Sequence, residues 1–181
     1  MESVPTVINK RADVLSKIAE LFPLLSSEDK EIADNLHNLA LELDMKIGFG
    51  NIRGNAANTK MNYDITYSAK KPFTRSIFVI KICVTQGEAN ASFSVKPKLL
   101  NLDKYRPIAE ACSDNIKNVI KNIKECKKCS MTCVQQVVFT FDGILYNACT
   151  YGGEVFANLA TDEWSLLHTL ILEEYKAHTA T

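Results

Sequence analysis

Four cysteines are the residues whose type and spacing could do chemistry. Cys126 and Cys129 have two residues between them, Cys133 follows after three more, and Cys149 lies fifteen residues further on. Two thiolates with two residues between them can both turn toward one ion at a helix end or knuckle. Four soft sulfur donors suit tetrahedral zinc, with Zn–S near about 2.3 Å and no open coordination position. The expected ligands are therefore Cys126, Cys129, Cys133 and Cys149, and the expected cofactor is zinc in a structural role. The spacing leaves other chemistries open. Three close cysteines and one remote one could hold an iron–sulfur cluster. Cys126 and Cys129 could form a thiol redox pair, since Lys127 and Lys128 would depress thiol pKa values, although the βαβ unit that usually surrounds such a pair is not apparent. Plain reduced thiols are the fourth reading. Cys83, in an apolar run, and Cys112, at a helix end, read as small buried side chains.

Charge offers a second candidate. The net formal charge is zero, but residues 1–45 carry −5, residues 46–128 carry +10 and residues 129–181 carry −5. Within the basic stretch, Lys117, Lys121, Lys124 and Lys128 recur at four, three and four residues, lining one helix face. Such a row could follow a phosphate backbone, and the segment could meet an anionic or protein partner. It is equally the pattern of a solvated helix face, with the acidic ends folding back to neutralise the middle. Tyr63, Tyr67 and Phe73 lie near Lys70, Lys71 and Arg75, but the two tyrosines share the strand face assigned to the core. Gly48, Gly50 and Gly54 follow a helix rather than a strand and miss the dinucleotide fingerprint by one residue, so they read as a connector. His37 and His168 read as helix-surface residues and His178 as part of a frayed tail. No nucleophile–base–acid arrangement is nominated.

The elements that must position these residues are legible from periodicity. Val7, Val14, Ile18 and Phe22 mark a first helix stopped by Pro23. Ser26 or Ser27 caps a second, with the stripe Ile32, Leu36, Leu39, Ala40 and Leu43. The Gly- and Asn-rich stretch 48–58 predicts a loop. Met61, Tyr63, Ile65 and Tyr67 alternate with polar residues as a half-buried strand. Ser76–Thr85 is almost continuously apolar, and Ala91, Phe93 and Val95 complete a meander ended by Pro97. A short helix over 103–112 and a helix capped by Ser113 or Asp114 follow, the latter with the stripe Ile116, Val119, Ile120 and Ile123. Asp142-Gly143, between two β-rich runs, predicts a type I′ hairpin whose return strand carries Cys149 back toward Cys126. Val155-Phe156 could add a short strand. Thr161 caps a final helix with Trp164, Leu167, Ile171 and Tyr175 facing inward.

Strands in the middle and helices at both ends predict the α+β class: an antiparallel sheet of about five strands with a Cys-rich C-terminal hairpin. At 181 residues and 20.2 kDa the chain reads as one domain, 1–181, comprising an N-terminal helix (1–25), a helix–meander–helix core (26–125) and a Cys-rich hairpin with closing helix (126–181). Apolar residues at 46% and charged residues at 23% exclude a disordered or fibrous class. No apolar run approaches the ~20 residues of a membrane span, and Met1–Lys10 lacks the pattern of a secretory signal, so a cytoplasmic protein without a membrane partner is expected.

With Tyr63-Asp-Ile-Thr-Tyr67, Phe78-Val-Ile-Lys-Ile82, the spacing of Cys126, Cys129 and Cys133, the Asp-Gly hairpin and Cys149 in view, the chain resembles a group of uncharacterised small bacterial α+β proteins over about Glu28 to Tyr175. The resemblance implies the architecture and the cysteine hairpin and implies no activity. Together these readings point to a binding module with a structural Cys₄ zinc site and a basic central face. A thiol or iron–sulfur redox protein is the alternative.

Overall fold

Pro23 and Ser26 divide the helical start of the chain into two helices. The computed structural model describes residues 11–52, 59–123, 125–126, 136–149 and 156–180. Helix α1 spans Arg11–Leu21 and gives way at Pro23 to a 3₁₀ turn over Phe22–Leu24, because proline supplies no N–H for a continuing helix. Helix α2 spans Ser27–Glu42, and the Ser26 hydroxyl accepts the Asp29 N–H at 3.1 Å, satisfying one orphan donor of the first turn. Asp44, in the left-handed region at φ +49°, follows its end, and the Met45 N–H reaches back to the Ala40 carbonyl at 2.8 Å.

Four strands follow: β1 (Lys46–Ile52), β2 (Lys60–Ala69), β3 (Arg75–Thr85) and β4 (Ser92–Pro97), hydrogen-bonded in the order β1-β2-β3-β4 as an antiparallel sheet. Strand β1 corrects the expectation of a loop from Gly48, at least over the described part, since residues 53–58 lie outside the described residues. Gly48 and Gly50 run close along Thr66 and Asp64 of β2, where a Cβ would sit 3.9 Å from its neighbours, and Phe49 meets the Tyr63 ring at 5.9 Å. Pairing with β2 thus outweighs the entropy that glycine loses in a strand. Lys81, the one charge in the apolar β3 run, is answered by Asp64 of β2 at 3.1 Å.

After β4 come a 3₁₀ turn (Leu102–Lys104), α3 (Arg106–Glu110) and α4 (Asp114–Lys121), whose Ser113 cap accepts the Ile116 N–H. Strands β5 (Gln136–Phe141) and β6 (Ile144–Cys149) form a separate antiparallel pair, and α5 (Thr161–Thr179) closes the chain. The cap of α5 is Ala160 rather than Thr161. Its N–H donates to the Glu163 carboxylate at 3.0 Å, so a first-turn glutamate does part of the work a capping hydroxyl would do.

The fold is mixed α+β with helices at both ends, and the expected sheet of about five strands is instead a four-stranded sheet plus a two-stranded one. The reason lies at the edge of β5. Its Thr140 N–H donates to Asp103 Oδ1 at 3.0 Å, and the following Asp142 N–H donates to Glu110 Oε1 at 2.9 Å. These side chains meet outward-pointing donors that another strand would otherwise take.

The chain separates into two compact units that interleave in sequence: Met1–Tyr67 with Ile80–Phe93, and Ser68–Val79 with Ser94–Thr181. The sequence reading instead divides the chain consecutively. In the first unit, Phe22 of the 3₁₀ turn and Tyr67 of β2 each meet the His37 ring of α2 at 5.9 Å, edge to face. His37 Nδ1 and the Tyr67 hydroxyl share a hydrogen bond of 2.9 Å. His37 is therefore packed rather than a surface residue, and burial holds its pKa below the usual imidazole value. In the second unit, Phe139 and Phe141 of β5 are buried, and the Phe139 ring stacks on Tyr146 at 5.3 Å.

The hairpin turn bears out its sequence signal. Asp142 and Gly143 have φ of +48° and +74°, the double positive φ of a type I′ turn. Gly143→Ala places a Cβ in that region, so it should cost about 1 kcal/mol in urea unfolding. An unchanged midpoint would show that the turn does not demand glycine.

Candidate functional site

Helix α4 ends at Lys121, and the chain then returns to the hairpin. Glu125 forms an antiparallel bridge with Ala148, and the Cys126 N–H donates to the Asn147 carbonyl at 2.8 Å. Cys126 is thus directly opposite Asn147 on the edge of β6 away from β5. Cys149 lies two residues along the same strand, on the same face as Asn147 by the alternation of the pleat. Diagonal pairs of this kind have Cα atoms about 7–8 Å apart. The hairpin therefore carries Cys149 back beside Cys126, as the fifteen-residue spacer requires. Cys126 is buried and Cys149 half-buried. Cys129 and Cys133 lie outside the described residues, and among the described residues no group of three or more His, Cys, Asp or Glu gathers closely enough to hold a metal ion.

The other two cysteines differ from each other. Cys112 is buried, donates to the Ile108 carbonyl at 3.4 Å, and has its thiol pKa pushed up by burial, which suits an inert core thiol. Cys83 on β3 is only half-buried.

Of the lysine row, Lys117 and Lys121 stand on α4, whereas Lys124 and Lys128 lie outside the described residues. Lys121 Nζ approaches Asp142 Oδ2 at 2.6 Å, and this bond raises the pKa of the ammonium. The opposite face of α4 buries Ile116 and Ile120, so Lys121 ties an amphipathic helix to the hairpin turn. Lys117 stands 3.9 Å from Asp114. Part of the basic middle is therefore neutralised by acidic residues, one of them from the acidic last third.

Between α4, the hairpin and the segment after β4, the second unit holds an apolar cleft of about 440 Å³, open to solvent. Leu99, Val119, Ile123, Val137, Phe139 and Phe156 form most of its wall. Phe156 is held there by paired hydrogen bonds with Val95 of 2.8 and 2.9 Å, the short strand contact expected at Val155-Phe156. Lys98 is the one charged residue among those lining the cleft, and Cys149 lies at its wall.

Sequence reasoning missed a buried polar cluster. Glu174 on α5 is 1% exposed, and it accepts from the Asn101 N–H (2.9 Å), Asn101 Nδ2 (2.8 Å) and the Tyr105 hydroxyl (2.7 Å). Burial pushes the Glu174 carboxyl pKa up, opposed by these donors, while burial and the neighbouring carboxylate raise Tyr105. One turn on, His178 is 2% exposed rather than frayed: its Nε2–H donates to the Phe73 carbonyl at 3.2 Å and its ring meets Phe73 at 5.0 Å. A usable signal existed, since Glu174 and His178 fall three and seven residues after Ile171, on the buried stripe of α5. With three donors on one carboxylate, the cluster reads as a structural tie rather than a reactive acid.

Compared with family models, with curated proteins and with solved structures, the chain matches none. Among the described residues, no helix is long and apolar enough to cross a membrane.

Proposed function

We propose that this chain is a binding module whose Cys-rich hairpin is stapled by a structural zinc ion on Cys126, Cys129, Cys133 and Cys149. The observation carrying this reading is the Glu125–Ala148 bridge with the Cys126–Asn147 hydrogen bond, which sets Cys126 one diagonal step from Cys149. Cys129 and Cys133 enter from their sequence spacing alone. A tetrahedral thiolate site would tie the segment after α4 to β6 and hold one wall of the cleft. Persistent thiolates of this kind suit a reducing compartment, the cytoplasm. The basic middle, with Lys117, Lys121, Lys124 and Lys128, would then face an anionic partner with whatever charge its internal ion pairs leave over.

Elemental analysis of the purified chain tests the staple: a colourless protein with one zinc per chain is expected. Metal-free protein, or a brown one with visible absorbance from an iron–sulfur cluster, would replace it with plain thiols or the redox reading. Binding to duplex DNA tests the anionic face. The affinity should fall by about tenfold or more between 50 and 200 mM salt if several lysines contact phosphates, and a flat response would remove that partner.

A further inference from the structure

We propose that the cleft of the second unit binds a monocarboxylic acid with an apolar body, of the size and shape of a medium-chain fatty acid. Ligand sites are concave, mostly apolar, roughly 300–1,000 Å³ in volume, and oriented by a few polar groups. The cleft, at about 440 Å³, falls within that range. An apolar cavity of about 150 Å³ already accommodates benzene, so a larger body fits here even with part of the space open to solvent.

The wall chemistry selects the class. The side chains of Leu99, Val119, Ile123, Val137 and Phe156 offer contact to hydrocarbon and no hydrogen bonds. Lys98, the sole charged lining residue, supplies one cation for one anionic group. A second carboxylate would be desolvated against apolar wall without compensation, which excludes diacids and polyphosphates. Four segments of the chain build this wall. Phe156 is fixed by its bridge to Val95, and the Lys98 N–H by the Ile77 carbonyl at 2.8 Å, so the mouth and back are anchored by backbone hydrogen bonds. This inference rests on the reading of the chain as a binding module and not on its zinc staple.

The test is a titration of the full chain with decanoate, decanol and decanedioate, followed by calorimetry and methyl NMR. One decanoate per chain is expected, with shifts at the Leu99, Val119 and Val137 methyls. Decanol and decanedioate should bind about tenfold more weakly. Lys98→Gln should bring decanoate down to the level of decanol and leave decanol within twofold of its original affinity. Val119→Phe, at a half-buried position, should fill the cleft and abolish binding while far-ultraviolet dichroism stays unchanged. If that variant fails to fold, Val137→Phe fills the cleft from β5. Equal binding of decanol and decanoate, shifts centred on the exposed Val138 and Leu145, or undiminished binding in the filled variant would overturn the proposal. Zinc-loaded protein that ignores decanoate would refute the ligand and leave the staple standing. Metal-free protein that binds decanoate would do the reverse.

Discussion

Glu174→Ala is expected to lower the unfolding free energy by about 3 kcal/mol or more, the largest single-residue loss in the described part of the second unit. The truncation removes the common acceptor of three donors, the Asn101 N–H, Asn101 Nδ2 and the Tyr105 hydroxyl, in a place where Glu174 itself is 1% exposed. A buried donor left without an acceptor costs about 1–3 kcal/mol, more than the modest net gain of making the bond. Tyr105→Phe removes a single donor and leaves the carboxylate its two bonds from Asn101, so it should cost less. Urea unfolding of the two variants provides the comparison, and equal losses would show that the cluster does not act as a unit.

The same carboxyl gives a pH dependence of definite sign. Burial raises its folded-state pKa above the ordinary 4.5. As pH rises, the unfolded chain releases this proton before the folded one does. The contribution of Glu174 to stability is therefore full below the unfolded pKa and is lost as pH rises through the folded value. Glu174→Gln has no proton to release, so the stability gap between wild type and Glu174→Gln should narrow as pH is raised from 4.5. A gap that widened with pH would mean that the three donors hold the ionised carboxylate more strongly than burial opposes it.

Removing the metal is the second large effect. Chelation of the wild type, or Cys129→Ser or Cys149→Ser, should cost several kcal/mol and expose the 126–149 region to proteolysis. Structural zinc in isolated fingers contributes about 10–16 kcal/mol of apparent binding energy. The loss here should be smaller, because β5 and β6 also bury Phe139, Phe141 and Ala148 and need not unfold completely without the ion. Serine substitution can itself perturb packing, so the decisive comparison is the response to chelator: present in wild type and in Cys83→Ser, absent in Cys129→Ser and Cys149→Ser. Melting curves that ignore chelator in the wild type would end the structural role.

Local signals proved legible where neighbouring residues decide the backbone. Ser26 caps α2, Ser113 caps α4 and Asp142-Gly143 makes the hairpin, because each depends on contacts or φ values within a few residues. Gly48 and Gly50 misled for the opposite reason. Their composition favours a loop, but the pairing partner that makes β1 a strand lies some fifteen residues away on β2. His178 misled similarly: a position near a chain end says nothing of Phe73, a hundred residues earlier, whose carbonyl and ring it meets. Of the candidate site, the return of Cys149 toward Cys126 was readable from the hairpin, whereas the cleft was not, since its walls come from segments with no shared periodicity.

By itself, then, the order of residues determined the elements, their caps and the turn that folds one cysteine back toward another, all of them consequences of short-range hydrogen bonding and steric preference. Tertiary structure alone decided that β5 and β6 stand apart from the other four strands, that Glu174 becomes a buried acceptor, and that Lys98 sits on an apolar wall. Each of these depends on which surfaces lose water together, and desolvation is a property of the assembled chain that no window of sequence contains.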